Sequence, residues 1–297
     1  MKEKALIINL NKEGLGLCNK FFYLFSACDI CIKNDLKLIE PFLGGKNTFL
    51  FSHLYDLDYF NNNIKQYNKN NDLIVSYNNK ENYEIIINNH DLWQYSENIL
   101  KKQRKNNIYE SDCMNILVLK SLKLSNKYQD IINLYIKDYN INNINGIHLR
   151  VENDWKQYNN IKKNILPKNE ILMIEPERLI NLYKKYFNNN DIIFTTGENH
   201  EKLKNIINNK NINNNYFFDS NLNYEINASI NFEIMCNTKN FLGLSRSTYS
   251  NLITIKRHLM NKNRSYIYNL NNKIFERIDL GLHPIAIDSI SKKVKII

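Results

Sequence analysis

From residue 144 onward, short apolar runs alternate with stretches of helical periodicity, and that alternation restricts the fold more than any other feature of the chain. The runs are Ile144–Leu149, Glu170–Ile174, Asp191–Thr196, Tyr216–Asp219 and Asn240–Leu244, with helical stretches at about 177–187, 198–209, 227–237 and 247–260. Strands separated by helices of this length pair in parallel, because a helix must carry the chain back across the sheet. The first half begins the same way. Lys4–Leu10 reads as a strand, 11–17 as a loop, 18–34 as a helix, and Leu36–Glu40 as a strand stopped by Pro41. Further strands are predicted at Leu73–Tyr77 and Tyr83–Ile87, and a helix near 92–104. Helix 125–138 opens at Ser125 and places Tyr128, Ile131, Ile132 and Tyr135 on one face. The polar stretch 137–143 reads as a linker, dividing the chain into domains 1–140 and 141–297.

Length and composition agree with two α/β domains. A chain of 297 residues has room for two domains of roughly 100–200 residues. With 43% hydrophobic and 24% charged residues it can bury a core, which excludes general disorder. It lacks a run of apolar residues long enough to span a bilayer. A net charge of +10 favours anionic partners. Five cysteines are too few for a disulfide scaffold, and the N-terminus reads as a first strand with no cleavable leader, so a cytoplasmic location is expected. The sequons at Asn227 and Asn263 would then be unused, and runs such as Asn61–Asn63, Asn188–Asn190 and Asn213–Asn215 read as padded loops.

Three segments carry chemistry. Gly14–Phe22 joins the first strand to the first helix with two glycines; it is neither a complete dinucleotide fingerprint nor a P-loop. In Gly146–Trp155, Ile147 and Leu149 face one way while His148, Arg150 and Glu152 alternate to the other. That polar stripe is unusual for a parallel strand, which is normally buried on both faces. Arg150 can fork onto two phosphate oxygens, and the competing reading is a structural Arg–Glu pair. In Phe241–Ile253 a strand turns into a helix through Ser245, Ser247, Thr248 and Ser250, which suits either phosphate binding or ordinary capping.

Together these segments resemble the GT-B fucosyltransferase superfamily, in particular protein O-fucosyltransferase-like enzymes. Gly16-Leu-Cys-Asn-Lys-Phe-Phe22 is similar to the family's first loop, with Cys18 in place of a glycine. Ile147-His-Leu-Arg150 is similar to its His-x-Arg strand, and Phe241-Leu-Gly243 with Ser247-Thr-Tyr-Ser250 to its Phe-Ile-Gly…Ser-Ser/Thr-Phe-Ser segment. Phe51–Phe60 is similar to a segment with Asp-Val-Asp. The resemblance implies two Rossmann-like domains facing across a cleft, and an inverting, metal-independent transferase acting on a nucleotide-sugar, with GDP-fucose as first choice of donor and a glycan or protein as acceptor. It implies that Asn19, His148, Arg150, Ser247, Thr248 and Tyr249 bind the donor. Arg150 and the N-terminus of helix 247–260 would stabilise the departing diphosphate. No cofactor and no metal are expected.

One position departs from the family. Where it usually carries an Asp that accepts from guanine, this chain has Asn231. An amide both donates and accepts, so a UDP- or dTDP-sugar is an alternative. An inactive nucleotide- or nucleic-acid-binding protein of the same fold is a second alternative, with nucleic acid ranked below nucleotide-sugar. For the proton-accepting base, Glu13 ranks first and Glu152 second; an exposed loop charge and an ion pair with Arg150 are the competing readings. Asp56-Leu-Asp58 is set aside as a metal site, Cys28-x-x-Cys31 reads as a helix face, and Lys101–Lys105 as a solvated basic stretch. His200 and His258 receive no role.

Overall fold

The structure is a computed structural model and describes residues 2–10, 16–45, 48–87, 91–96, 98, 114–162, 170–187, 191–262, 264–277 and 294–296. The chain divides into two compact units, Met1–Ile131 with Ser220–Ser229, and Ile132–Asp219 with Ile230–Ile297.

The first unit is built on a parallel sheet in the order β5-β2-β1-β6, formed by β1 (Lys4–Ile7), β2 (Lys37–Ile39), β5 (Ile74–Val75) and β6 (Glu84–Ile87). A small antiparallel pair, β3 (Phe42–Leu43) and β4 (Phe49–Leu50), lies outside it. Helix α1 (Leu17–Lys33) is buried on most of its circumference by Leu17, Phe21, Leu24, Phe25 and Cys28. Its buried Asp29 is held by Lys33 Nζ and by the Tyr95 hydroxyl, each at 2.6 Å. Its buried Lys20 pairs with Glu225 at 2.8 Å. The two cysteines of the Cys28-x-x-Cys31 spacing are fully buried in this helix, and burial raises both thiols, Cys31 to about 12. After α2 (Phe51–Leu54), α3 (Leu57–Ile64) starts at Asp56, whose carboxylate accepts from the Tyr59 N–H at 2.9 Å. Asp56 is therefore a helix cap. Helices α4 (Met114–Ser121) and α5 (Asn126–Asp138) follow, and Ser125 accepts through its carbonyl from the Tyr128 and Gln129 N–H groups.

The second unit carries a seven-stranded sheet in the order β13-β12-β11-β10-β7-β8-β9. Its strands are β7 (Asn145–His148), β8 (Asp191–Thr195), β9 (Asn213–Asn215), β10 (Phe241–Gly243), β11 (Ser265–Leu270), β12 (Lys273–Arg277) and β13 (Val294–Ile296). The first five in spatial order from β9 to β11 are parallel, and β12 and β13 add an antiparallel edge. The helices are α6 (Asn153–Lys162), α7 (Pro176–Tyr186), α8 (His200–Asn208) and α10 (Thr248–Leu259), together with α9 (Tyr224–Asn237) from Ile230 onward, its first turns belonging to the first unit. Ile147, Leu149, Phe194 and Leu242 fill the core beside the central strands. At Gly146, a Cβ would approach Thr238 Cγ2 to 2.8 Å, so the close packing there requires glycine.

The sheet corrects three readings of the sequence. Asn213–Asn215 is a strand, because an edge strand needs only its backbone ladder to β8, while Asn213 also donates to Asp191 Oδ1 at 2.9 Å. Tyr216–Asp219 is irregular. Glu170–Ile174 makes a single bridge at Glu170, and its apolar residues Leu172 and Ile174 are buried from a loop. The C-terminus of α9 is closed by Arg257, a fully buried side chain whose Nη1 donates to the carbonyls of Met235, Cys236 and Thr238.

Candidate functional site

In the second unit, the chain leaves β7 towards β8 and β9 on one side and later returns to place β10 and β11 on the other. Loops at the carboxyl ends of the two strands flanking such a switch diverge and leave a crevice between them, which is where open α/β sheets bind ligands. Here those strands are β7, which ends at His148, and β10, which ends at Gly243. The His-x-Arg segment and the Ser-rich turn, about a hundred residues apart in sequence, therefore meet at one place.

Their contact is direct. His148 Nδ1 lies 2.8 Å from Ser250 Oγ, and the same hydroxyl oxygen accepts from the Leu244 N–H at 3.1 Å. Both residues are buried. The His148 ring packs against Tyr249 with centroids 4.9 Å apart, and Tyr249 meets Phe232 edge-on at 5.7 Å. The Tyr268 hydroxyl donates to the His148 carbonyl at 2.7 Å. Burial, with the Arg150 charge adding to it, lowers the His148 pKa to about 3, so the ring is neutral at pH 7.

Arg150 follows the strand end. Its guanidinium lies 5.1 Å from the Trp155 ring centroid, 2.8 Å from Asp154 and 3.4 Å from Glu152. The two acids differ. Asp154 is exposed, whereas Glu152 is buried and its Oε1 accepts from the Gly197 N–H at 2.5 Å. A Cβ at residue 197 would come within 2.8 Å of that oxygen, so glycine lets the amide reach it. The arginine–carboxylate pair considered from the sequence is thus formed, with an aromatic face beneath it.

The turn before α10 is fixed by a buried polar network that sequence reasoning missed. Glu170, with a wholly buried side chain, accepts from Ser245 Oγ at 2.7 Å and from Arg246 Nε at 2.9 Å, and its other oxygen is 2.8 Å from Arg246 Nη2. Asn269 accepts from the Ser245 N–H at 2.9 Å and donates to its hydroxyl. Asn251 donates to the carbonyls of Ser245 and Ser247. Ser247 caps α10 by accepting from the Ser250 N–H at 3.3 Å. The N-terminus of this twelve-residue helix carries the positive end of its dipole. The Ser-Arg-Ser spacing was the available signal for Arg246; nothing local marks Glu170, 76 residues away.

The fold has close counterparts among solved structures. POFUT1 in complex with GDP-fucose superposes with a TM-score of 0.56 at 10% identity, covering 86% of this chain and 94% of that one. Its apo form gives 0.59 at 11%, covering 90% and 98%. The fucosyltransferase NodZ from Bradyrhizobium gives 0.57 at 12%, covering 92% and 97%. The fold is a fucosyltransferase-like GT-B fold. No family model and no curated protein matches the sequence.

Within that GT-B fold, the predicted donor-site residues His148, Arg150, Ser247, Thr248 and Tyr249 all lie on β7, on α10 and on the residues bordering them. Asn231 is on α9, next to Phe232, and its Nδ2 donates to the Phe217 carbonyl at 3.0 Å. Asn19 stands in the first turn of α1, in the first unit, where its N–H donates to the Gly16 carbonyl. Glu13 lies outside the described residues, as does the Lys101–Lys105 stretch. His200 stacks between Tyr216 and Phe218, with centroids 5.1 and 4.9 Å away. No helix among the described residues is long and apolar enough to cross a membrane.

Proposed function

We propose that this chain is an inverting glycosyltransferase that takes a sugar from a nucleoside diphosphate, with GDP-fucose as donor and a glycan or protein as acceptor. The observation that carries the reading is the contact of His148, two residues before Arg150, with Ser250 in the N-terminal turn of α10 at the switch point of the second sheet. The fold shared with POFUT1, solved in complex with GDP-fucose, and with NodZ, co-crystallised with GDP, supports it.

In this reading an acceptor oxygen attacks the anomeric carbon, the bond from that carbon to the diphosphate oxygen breaks, and negative charge grows on the diphosphate. Arg150 and the α10 dipole meet that charge, fixed in place before the reaction begins. The reading needs no metal, because those two groups supply the positive charge. Neutral His148 contributes a hydrogen bond rather than a charge. Glu152 holds Arg150, since one of its oxygens is taken by Gly197 and the other faces the guanidinium. With Glu152 engaged in this way, Glu13, the other acid weighed from the sequence, is the proposed base.

Asn231 does not choose the base by itself. One hydrogen of its Nδ2 goes to the Phe217 carbonyl, and an amide has a second N–H and an acceptor oxygen, a set compatible with guanine or uracil. GDP-fucose is taken first because the fold is shared with POFUT1, solved in complex with it.

The test is a thermal-shift and hydrolysis series with GDP, GDP-fucose, UDP and a UDP-sugar, repeated on Arg150→Ala. GDP and GDP-fucose should stabilise the wild type most, and turnover should fall by about a hundredfold or more in the variant. The proposal is lost if no nucleotide stabilises the protein, or if Arg150→Ala turns over donor at the wild-type rate.

A further inference from the structure

We propose that Ser250 is a positioning residue that fixes His148 as the tautomer protonated on Nε2, so that the buried ring presents an N–H donor to an oxygen of the bound nucleotide-sugar. The second half of this statement rests on the transferase reading; the first half does not.

A serine hydroxyl has one hydrogen to donate and lone pairs with which to accept. The Leu244 N–H occupies the accepting side of Ser250 Oγ at 3.1 Å. The remaining polar neighbour of that oxygen among the described residues is His148 Nδ1, at 2.8 Å. If Nδ1 carried a proton, it too would donate to the hydroxyl, and the serine hydrogen would be left without an acceptor at a site only 2% exposed. Buried hydroxyls avoid that state. The hydroxyl therefore donates to Nδ1, Nδ1 presents its lone pair, and a neutral imidazole then has its proton on Nε2.

The surroundings hold both partners still. A Cβ on Gly243 would sit 2.6 Å from both Ser250 Cβ and Oγ, so the serine is pressed against the end of β10. Tyr249 lies against the imidazole, and Tyr268 anchors the His148 carbonyl. Burial, and after it the nearby Arg150 charge, disfavour a second proton on the ring.

Long-range proton–nitrogen correlation spectra of the full chain, labelled with ¹⁵N-histidine, test this directly, with His148 assigned by comparison with His148→Gln. The expected spectrum at pH 7 shows a protonated Nε2 and an unprotonated Nδ1, unchanged on acidification to pH 5. A proton on Nδ1 in the neutral ring overturns the tautomer. Ser250→Ala should give mixed tautomers and raise the donor KM by about tenfold, the equivalent of one hydrogen bond, while Ser250→Thr restores the single tautomer. If the alanine variant fails to fold, the wild-type spectrum alone decides. Added GDP should shift the Nε2 resonance. Binding of GDP with that resonance unmoved overturns the contact to donor. Absence of any nucleotide binding defeats the transferase reading instead, with the tautomer already decided in the free protein.

Discussion

Replacing Arg257 with Met tests whether α9 depends on a buried guanidinium. The methionine follows the aliphatic path of the arginine and removes only its donors. Nη1 loses contacts to the carbonyls of Met235 and Cys236 at 3.2 Å and of Thr238 at 2.6 Å, and Nη2 loses the Lys239 carbonyl at 3.0 Å. These are carbonyls at or just beyond the end of a helix, which have no intrahelical donor of their own. Nε also leaves Ser265 Oγ, at 3.2 Å. The wild-type cation is itself strained by burial, which lowers its pKa to about 10, so the removed charge had a cost that the variant no longer bears. Against that relief stand several buried acceptors left without donors, each costing about 1–3 kcal/mol before relaxation. The balance is a loss of about 3–5 kcal/mol, a few unsatisfied carbonyls less the relief of the buried charge. In a unit of this size that corresponds to a fall in melting temperature of roughly 6–20 °C. Urea denaturation followed by circular dichroism measures it, and Arg257→Lys, which keeps one charged donor, should fall between the two. A methionine variant within about 1 kcal/mol of wild type would show that α9 closes without this side chain and refute the reasoning.

Three further outcomes follow from the geometry. His148 has a folded pKa of about 3 against an ordinary 6.5, so the unfolded chain takes up a proton that the folded one refuses. Its contribution is complete above pH 6.5 and is lost as pH falls towards 3; wild type should lose about 2 kcal/mol more than His148→Gln between pH 7 and 5 in chemical denaturation. Gly243→Ala places a methyl 2.6 Å from Ser250 and 2.9 Å from Phe241 Cε1, and should cost about 1–3 kcal/mol by overpacking; an unchanged unfolding midpoint would show that α10 is free to shift. Asp154→Asn should raise GDP affinity in calorimetry by up to about fivefold, and Glu152→Gln should lower it, because one acid competes for Arg150 and the other holds it. The opposite order would reverse those roles.

The sequence makes the central strands legible because β7 and β10 are short, apolar and bounded by turn residues, and it makes α10 legible because Ser247 is a recognisable cap. It hides β9, since three consecutive asparagines look like loop until a neighbouring strand supplies the ladder. The hairpin of β11 and β12 has only a weak local signal: Asn271 and Asn272 both adopt positive φ, of 51° and 52°, as a tight hairpin turn requires and as asparagine tolerates. Arg257 looks like a basic helix end, and only the fold shows that the helix it closes is α9. Glu170 and Arg246 illustrate the same limit, because a buried ion pair between distant segments leaves no periodicity to detect.

Arg150, after the end of β7, and Arg246, in the turn before α10, are each already paired with carboxylate. That is expensive for an anion-binding site unless the acids have different tasks, and their exposure separates them. The side chains of Glu170 and Glu152 are 0% and 9% exposed, while Asp154 is 69% exposed. A buried carboxylate cannot leave its partner without being stranded in low dielectric, so Glu170 and Glu152 fix where Arg246 and Arg150 point. An exposed carboxylate gives up its pair to water at little cost. On the transferase reading, then, an arriving diphosphate displaces Asp154 alone and meets an Arg150 whose orientation Glu152 and the Trp155 ring have already set. The arginine–carboxylate pair and the phosphate site, which compete as explanations of the same sequence, are compatible because the pair has one permanent partner and one replaceable one.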